Sequence, residues 1–178
     1  MAAEQICTGS NPFKEALQQK KGFIYTLELV PGRGSRGKSQ DQVLTLAEKA
    51  IKGGLVHALS ITDNPGGHPA LSSDVIGLEV CRMGMNPIIH FICKDKNRNQ
   101  IEPILHALER TGVQNLLVMT GDYPLYGFEG KAKPGYDLDS LQLIHLINQI
   151  NLGLDVNGHA PGGGVGELFP RPGPPWRR

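Results

Sequence analysis

The residues of this 178-residue chain that are best suited to chemistry are two carboxylates at the ends of strand-like segments. Glu28 lies near the end of residues 23–31, and Asp122 ends residues 116–122. A carboxyl group can act as a general acid or base, or its fixed charge can stabilise a developing cation. Because the two segments are far apart in sequence, their joint use depends on a fold that brings their ends together.

The elements around these carboxylates predict such a fold. Residues 58–62 and 87–93 are two further short segments rich in β-branched and aliphatic residues, and helix-like sequence separates all four. This alternation is typical of βαβ units and a parallel sheet, which carries its chemistry at the carboxyl ends of the strands. Thr62 and His90, which also lie toward strand ends, therefore join Glu28 and Asp122 as candidates for one site.

Helical periodicity supports the same architecture. In the helix before the fourth strand, apolar residues recur at i, i+3, i+4 and i+7, at Ile101, Ile104, Leu105 and Leu108. The helix after that strand is predicted to bury a face formed by Leu141, Ile144, Ile147 and Ile150. An extra helix is predicted near the start of the chain, over residues 13–20. The fold class is therefore α/β, with about four βα units.

The end of the chain has a different composition. From Gly153 onward glycine and proline dominate, and neither the helical nor the strand period is present. Such sequence is not expected to pack into a core. We therefore divide the chain into a partial barrel over residues 1–151 and a disordered, irregular Gly/Pro-rich tail over residues 152–178.

Composition excludes several classes of function. The net charge is +1, and no basic run is long enough to indicate a nucleic-acid partner. The densest basic cluster, residues 94–98, is interrupted by Asp95 and Asn97, which predicts a solvated loop. The six histidines lack ligand spacing, so no metal site is expected.

The cellular location is predicted from two negative signals. No apolar run is long enough to span a bilayer, and no secretory segment opens the chain. Three cysteines without CxxC spacing are typical of a reducing compartment. We expect a cytoplasmic protein without membrane contact.

Several segments together resemble the methylenetetrahydrofolate reductase family. Residues 27–31 (Leu-Glu-Leu-Val-Pro) resemble its Glu-Phe-Phe-Pro-Pro strand, and residues 59–62 (Leu-Ser-Ile-Thr) its Ser-Val-Thr strand. His90 falls where the third strand of the family carries Pro-His. Residues 112–124 resemble a segment in which Gly-Ile/Val-x-Asn precedes a strand ending in Gly-Asp-x-Pro. Tyr136 and Asp139 fit a tyrosine and a nearby aspartate that open the fourth helix.

The resemblance implies a flavin-dependent (β/α)₈ barrel that reduces 5,10-methylenetetrahydrofolate to 5-methyltetrahydrofolate with NAD(P)H. It implies that Glu28 is the general acid that protonates the folate nitrogen, so that the methylene bridge opens to an iminium. Apolar neighbours such as Leu27, Leu29 and Val30 would raise the pKa of that carboxyl group. Asp122 would stabilise the cationic iminium and disfavour an anionic reduced flavin.

The resemblance also implies a site for the cofactor FAD. Its contacts would come from the strand ends and the loop after the fourth strand, at Thr62, His90, Thr120, Gly121, Asp122 and Tyr136. The chain departs from the family pattern at Thr120, where many members have arginine, and at Leu29 and Val30, which replace two aromatic residues.

The length of the chain predicts an incomplete barrel. A complete barrel takes roughly 250 residues, whereas only four units are evident here, so we expect a truncated form. Its exposed inner face would invite a homo-oligomer or a partner chain. Two alternatives stay open: a pterin-binding methyltransferase-type barrel without flavin, and an inactive half-barrel fragment.

Overall fold

Four parallel strands form one sheet in the order in which they occur along the chain. The computed structural model describes residues 6–8, 10–20, 22–124, 127–155 and 157–159. The strands are β1 (Thr26–Leu29), β2 (Ala58–Ile61), β3 (Ile88–Ile92) and β4 (Asn115–Met119). Their in-order parallel pairing confirms the predicted α/β fold class with four units of a β/α barrel.

Five α-helices accompany the strands in the described part of the chain. They are α1 (Pro12–Gln19), α2 (Lys38–Gly53), α3 (Ser73–Arg82), α4 (Arg98–Thr111) and α5 (Ser140–Asn151). Helix α1 precedes the sheet, as expected, and α2, α3 and α4 connect successive strands. None of the described helices is long and apolar enough to cross a membrane.

The core lies between the outer face of the sheet and the helices. Alternate strand residues such as Leu29, Ile61 and Phe91 point to this face and are at most 2% exposed. Helix α4 buries Ile101, Leu105 and Leu108 against it, which confirms the predicted face. The predicted face of α5 is wrong at Leu141 and Ile144 but right at Ile147 and Ile150, which pack against the core. Leu143, Leu146 and Ile150 are its buried residues, whereas Leu141 is 75% exposed and Ile144 44% exposed.

The inner face of the sheet is exposed mainly at its edges. Ser60, His90 and Ile92 on the two central strands are buried, at 8%, 6% and 3% exposure. On the edge strands, Glu28 is exposed and Leu117 is 43% exposed. The sequence predicted an exposed inner face, but the residues of the central strands on this face are buried.

Buried asparagines anchor the amino ends of the strands. Asn11, the N-cap of α1, donates from Nδ2 to Oδ1 of Asn115 over 3.0 Å, and Asn115 Nδ2 donates to Oδ1 of Asn86 over 3.3 Å. Asn86 Nδ2 also donates to the carbonyl oxygen of Gly112. This network ties α1 to the end of the sheet opposite the predicted site.

A disulfide joins Cys7 to Cys81 in α3, and Cys93 is a buried free cysteine. The cysteine count and spacing did not predict this bond. Most of the predicted tail, residues 156 and 160–178, lies outside the described residues. The described residues after α5 form turns in which Asp155 accepts hydrogen bonds from the backbone N–H groups of Asn157 and His159. The boundary at residue 151 stays a prediction.

Candidate active site at the carboxyl ends of the strands

The parallel order of the strands brings the predicted site residues to one side of the sheet. Glu28 lies in β1, Thr62 directly follows β2, His90 lies in β3 and Thr120 directly follows β4. Since parallel strands end at the same edge, the loops after them share one rim. The side chains of this rim form a candidate site, with its floor on the inner face of the sheet.

Glu28, Ser60 and His90 form a row across three neighbouring strands. The register of β1 and β2 pairs Glu28 with Ser60, so both side chains point to the inner face. Ser60 Oγ and His90 Nε2 share a hydrogen bond of 2.6 Å. One end of the row is therefore buried and bonded, while the carboxylate end is open.

The charge state of His90 follows from its burial. Desolvation lowers the pKa of the imidazole below its ordinary value, and this effect outweighs the opposing influence of the nearby Glu28 and Asp63 carboxylates. His90 is therefore neutral at neutral pH. A neutral imidazole has one ring nitrogen that donates a hydrogen bond and one that accepts.

The expected apolar surroundings of Glu28 are not supplied by its chain neighbours. Leu27 packs with the core and Leu29 is 1% exposed within it, on the face opposite to Glu28. Side chains alternate between the two faces of a strand, so residues directly before and after Glu28 point away from it. The sequence interpretation is therefore wrong for Leu27 and Leu29.

Thr62 fastens the ends of β1 and β2 together. Its backbone N–H donates to the carbonyl oxygen of Leu29 over 3.1 Å, and its Oγ1 lies 3.5 Å from the same oxygen. The side-chain contact is long, which leaves the hydroxyl able to make a better bond to a ligand.

An ion pair joins the loops after β2 and β3. Lys96 Nζ lies 2.5 Å from Asp63 Oδ2, and the two side chains are only 15% and 10% exposed. Asp63 Oδ2 also lies 3.5 Å from the backbone nitrogen of Ile92, and Lys96 Nζ lies 5.1 Å from the centre of the Phe91 ring. The pair therefore holds the side chain of Asp63 at the rim of the site, beside Thr62.

A second charged cluster corrects the expectation of a solvated loop at Lys94, whereas Asp95, Asn97 and Arg98 are exposed as expected. The Lys94 side chain is 2% exposed, and its Nζ lies 2.6 Å from Asp95 Oδ2. Asn64 Nδ2 donates to the same oxygen over 2.9 Å. Burial opposes ionisation of Asp95, but these hydrogen bonds and the charges of Lys94 and Lys96 hold its pKa below the ordinary value. Lys94 is therefore a buried part of the rim.

The loop after β4 lies against Lys94. The backbone N–H of Lys94 donates to the carbonyl oxygen of Thr120 over 3.0 Å, and the Lys94 carbonyl accepts from the backbone N–H of Gly135 over 2.7 Å. Gly121 has φ +93°, and a Cβ there would lie 3.1 Å from Lys94 Cβ. Gly121 is therefore required both by its conformation and by close packing.

Asp122 and Tyr136 lie at the two ends of this loop, and both are exposed. Partial loss of water around the Tyr136 hydroxyl raises its pKa, with smaller contributions from Tyr123, Asp95 and Asp122. Tyr136 also has φ 43°, a left-handed conformation that is uncommon for an aromatic residue. The structure thus brings Tyr136 within electrostatic reach of Asp122.

The loops after β2 and β4 are in close contact at the rim. Gly67, with φ +75°, lies so near the loop after β4 that a Cβ would come within 2.7 Å of Pro124 Cα. From the loop after β1, the Arg33 guanidinium lies 5.7 Å from the centre of the Phe128 ring. The loop that carries Asp122 is therefore held by contacts on several sides.

Sequence reasoning missed four residues that shape this site. Ser60 was part of a recognised motif but was not assigned a role, and Asp63, Lys94 and Lys96 were not considered as site residues. One signal was available, because all four lie in or just after a predicted strand. Only the register and the three-dimensional loop paths show which of them meet.

Comparison with known proteins agrees with this geometry. A search among curated proteins returned no match. The sequence model of the family described as methylenetetrahydrofolate reductase matches residues 13–160, which is most of the chain. The match includes all four strands and the whole candidate site. The chain belongs to the methylenetetrahydrofolate reductase family.

Proposed function

We propose that this chain carries the acid and part of the flavin site of an enzyme that reduces 5,10-methylenetetrahydrofolate to 5-methyltetrahydrofolate with NAD(P)H. Family membership supports a reductase-type function. The observation that carries the proposal is the row of Glu28, Ser60 and His90, which faces the inner side of a barrel sheet.

The polar groups on the inner face fit a flavin ring, which presents alternating N–H and C=O groups along one edge. Nδ1 of His90 makes no hydrogen bond to the described residues, and the Thr62 hydroxyl has only a long contact. Thr120, Gly121, Asp122 and Tyr136 would complete the contacts with FAD. When bound, the flavin would supply the hydride for the folate.

Glu28 is the proposed general acid. Its carboxyl group is exposed on the inner face and belongs to no ion pair within the described residues. The proton would pass from Glu28 to the folate nitrogen as the C–N bond of the methylene bridge breaks, which leaves an iminium on the substrate. Stacked rings of the ligands would exclude water from the carboxyl group during the proton transfer.

Asp122 is proposed to act through its charge. It lies at the rim, on the loop that contacts Lys94 and Gly67, and is exposed at the open side of the sheet. A preorganised negative charge stabilises a cation that develops during the reaction. Asp122→Asn should therefore keep FAD bound, raise its reduction potential and slow the folate step.

The first test is FAD binding by the purified chain. We expect a yellow complex with a flavin spectrum, but weak affinity, because the described sheet has four strands and unpaired edges at β1 and β4. Asp74→Asn, which changes a carboxylate at the start of α3, is the matched control for Asp122→Asn. Both variants should retain FAD, and only Asp122→Asn should raise the reduction potential of the bound flavin.

Two outcomes would contradict the proposal. A colourless protein that cannot be reconstituted with FAD would remove the reductase assignment. If such a protein bound methyltetrahydrofolate, it would be a pterin-binding methyltransferase-type barrel, and if it bound neither, an inactive fragment.

A further inference from the structure

The amino-terminal segment is attached to the rest of the fold around Cys7. Cys7 forms a disulfide with Cys81 near the end of α3, and each of the two residues is only 4% exposed. The backbone N–H groups of Ile6 and Cys7 both donate to the carbonyl oxygen of Thr111 at the end of α4, over 3.1 and 2.8 Å. A Cβ at Gly112 would lie 2.7 Å from the carbonyl oxygen of Cys7. Cys7 therefore lies between the carboxyl-terminal ends of α3 and α4, and contacts both.

Helix α1, which follows this segment, has little packing of its own. None of the residues Pro12–Gln19 is buried, and Leu17 is 49% exposed. With eight residues, α1 is also shorter than the length at which isolated helices are stable in water. Its N-cap Asn11 connects it to the strands through hydrogen bonds with Gln114 and Asn115 over 3.0–3.2 Å. The position of α1 therefore depends on a few polar contacts and on the disulfide just before it.

We propose that the Cys7–Cys81 pair is a redox-sensitive clamp that holds α1 against the amino ends of the strands. While the disulfide is intact, α1 starts a few residues from a fixed point of the core, so its effective concentration at its docking position is high. After reduction, hydrogen bonds alone hold the segment, and α1 is detached for a larger fraction of the time. The two cysteines are 74 positions apart, so loss of the bond also increases the freedom of the unfolded chain and lowers the overall stability.

The change of state is a two-electron exchange with a dithiol. A thiolate of the dithiol attacks one sulfur of the bond, and its second thiol then displaces the protein, so the dithiol leaves as a cyclic disulfide. Its two protons remain on the thiols of Cys7 and Cys81. Oxidation by a small disulfide runs the same exchange in reverse. Because both cysteines are buried, attack requires local opening of the segment, so the folded chain should be reduced more slowly than the unfolded chain.

The test is amide hydrogen exchange of α1, measured by mass spectrometry on the 178-residue chain with and without dithiothreitol. Protein kept from reductant and then unfolded should show one free thiol per chain, that of Cys93, and three after reduction. Reduction should speed the exchange of α1 roughly tenfold or more. Cys7→Ser and Cys81→Ser should each show the fast exchange without reductant, and dithiothreitol should then have no further effect.

Cys93→Ala is the matched control, because it removes a thiol that forms no disulfide, so its α1 should exchange slowly until reductant is added. Three free thiols after treatment with oxidised glutathione would overturn the inference. Exchange of α1 at the same rate with the disulfide intact and reduced would overturn it as well. Exchange that speeds up equally in α1 and in α4 would show a loss of global stability without selective release of α1, and would also contradict the clamp. None of these outcomes depends on flavin or folate binding.

Discussion

The ion pair between Asp63 and Lys96 should contribute to stability far more than a surface pair does. Removing one partner leaves the other charge poorly solvated, which costs about 3–5 kcal/mol for a fully buried pair. Here the side chains retain 10% and 15% exposure, so water reaches them in part. We expect Asp63→Asn and Lys96→Met each to lower the free energy of unfolding by about 2–3 kcal/mol.

The double variant separates the energy of the ion pair from the energies of the other contacts that each side chain makes. With both charges absent, no unpaired charge remains, so Asp63→Asn/Lys96→Met should be less destabilised than the sum of the single variants. The coupling energy should be about 2 kcal/mol. Contacts of Lys96 with the Phe91 ring and with the Ile92 carbonyl oxygen are lost in both Lys96 variants and cancel in the cycle.

The assay is urea unfolding, with linear extrapolation of the free energy to water. The pair of Glu129 and Lys131 is the control, since its 2.7 Å separation is similar but its side chains are 83% and 78% exposed. Its coupling should be below about 0.5 kcal/mol. If the Asp63–Lys96 coupling were equally small, the argument that burial strengthens this contact would be refuted.

Three further predictions concern packing, proton binding and loop contact. Leu143→Ala should lower the free energy of unfolding by about 2–5 kcal/mol, whereas Leu141→Ala should change it by less than about 0.5 kcal/mol in the same urea assay. The folded-state pKa of His90 is lowered, so the unfolded chain takes up this proton first as the pH falls below about 6.5. The free energy of unfolding should therefore decrease below that pH. His90→Gln should remove this decrease from a plot of the urea midpoint against pH. Gly67→Ala should increase proteolytic cleavage of the loop after β4, because a Cβ would displace Pro124; unchanged cleavage would contradict that contact.

The order of strands and helices could be predicted because strand-like and helix-like sequence patterns alternate consistently along the chain. Short aliphatic segments alternated with helical periods, and Ile101, Leu105 and Leu108 repeated at a spacing that only one helix face satisfies. The α5 face was missed because residues spaced strictly by three drift around a helix of 3.6 residues per turn. Leu143 and Leu146 lie on the side that meets the sheet, which depends on how α5 docks.

The candidate site could be predicted only as a set of strand ends. Glu28 and His90 were found because polar residues toward the ends of parallel strands converge, but no spacing in the sequence shows that Ser60 lies between them. The surroundings of Glu28 were misjudged because adjacency in sequence was taken for adjacency in space. The burial of Lys94 was missed because its partners, Asp95 and Asn64, are brought together by two different loops.

The central claim is that Glu28 is the acid of the folate step, and stopped-flow kinetics of the two half-reactions tests it most directly. With FAD at saturating concentration, Glu28→Gln should be reduced by NAD(P)H at the rate of the unaltered chain. It should lose folate reduction by about 10²–10⁴-fold, because only that step needs the proton. The control Glu48→Gln, on the exposed side of α2, should leave both steps unchanged. An equal loss of both steps in Glu28→Gln, or an unimpaired folate step, would contradict the account.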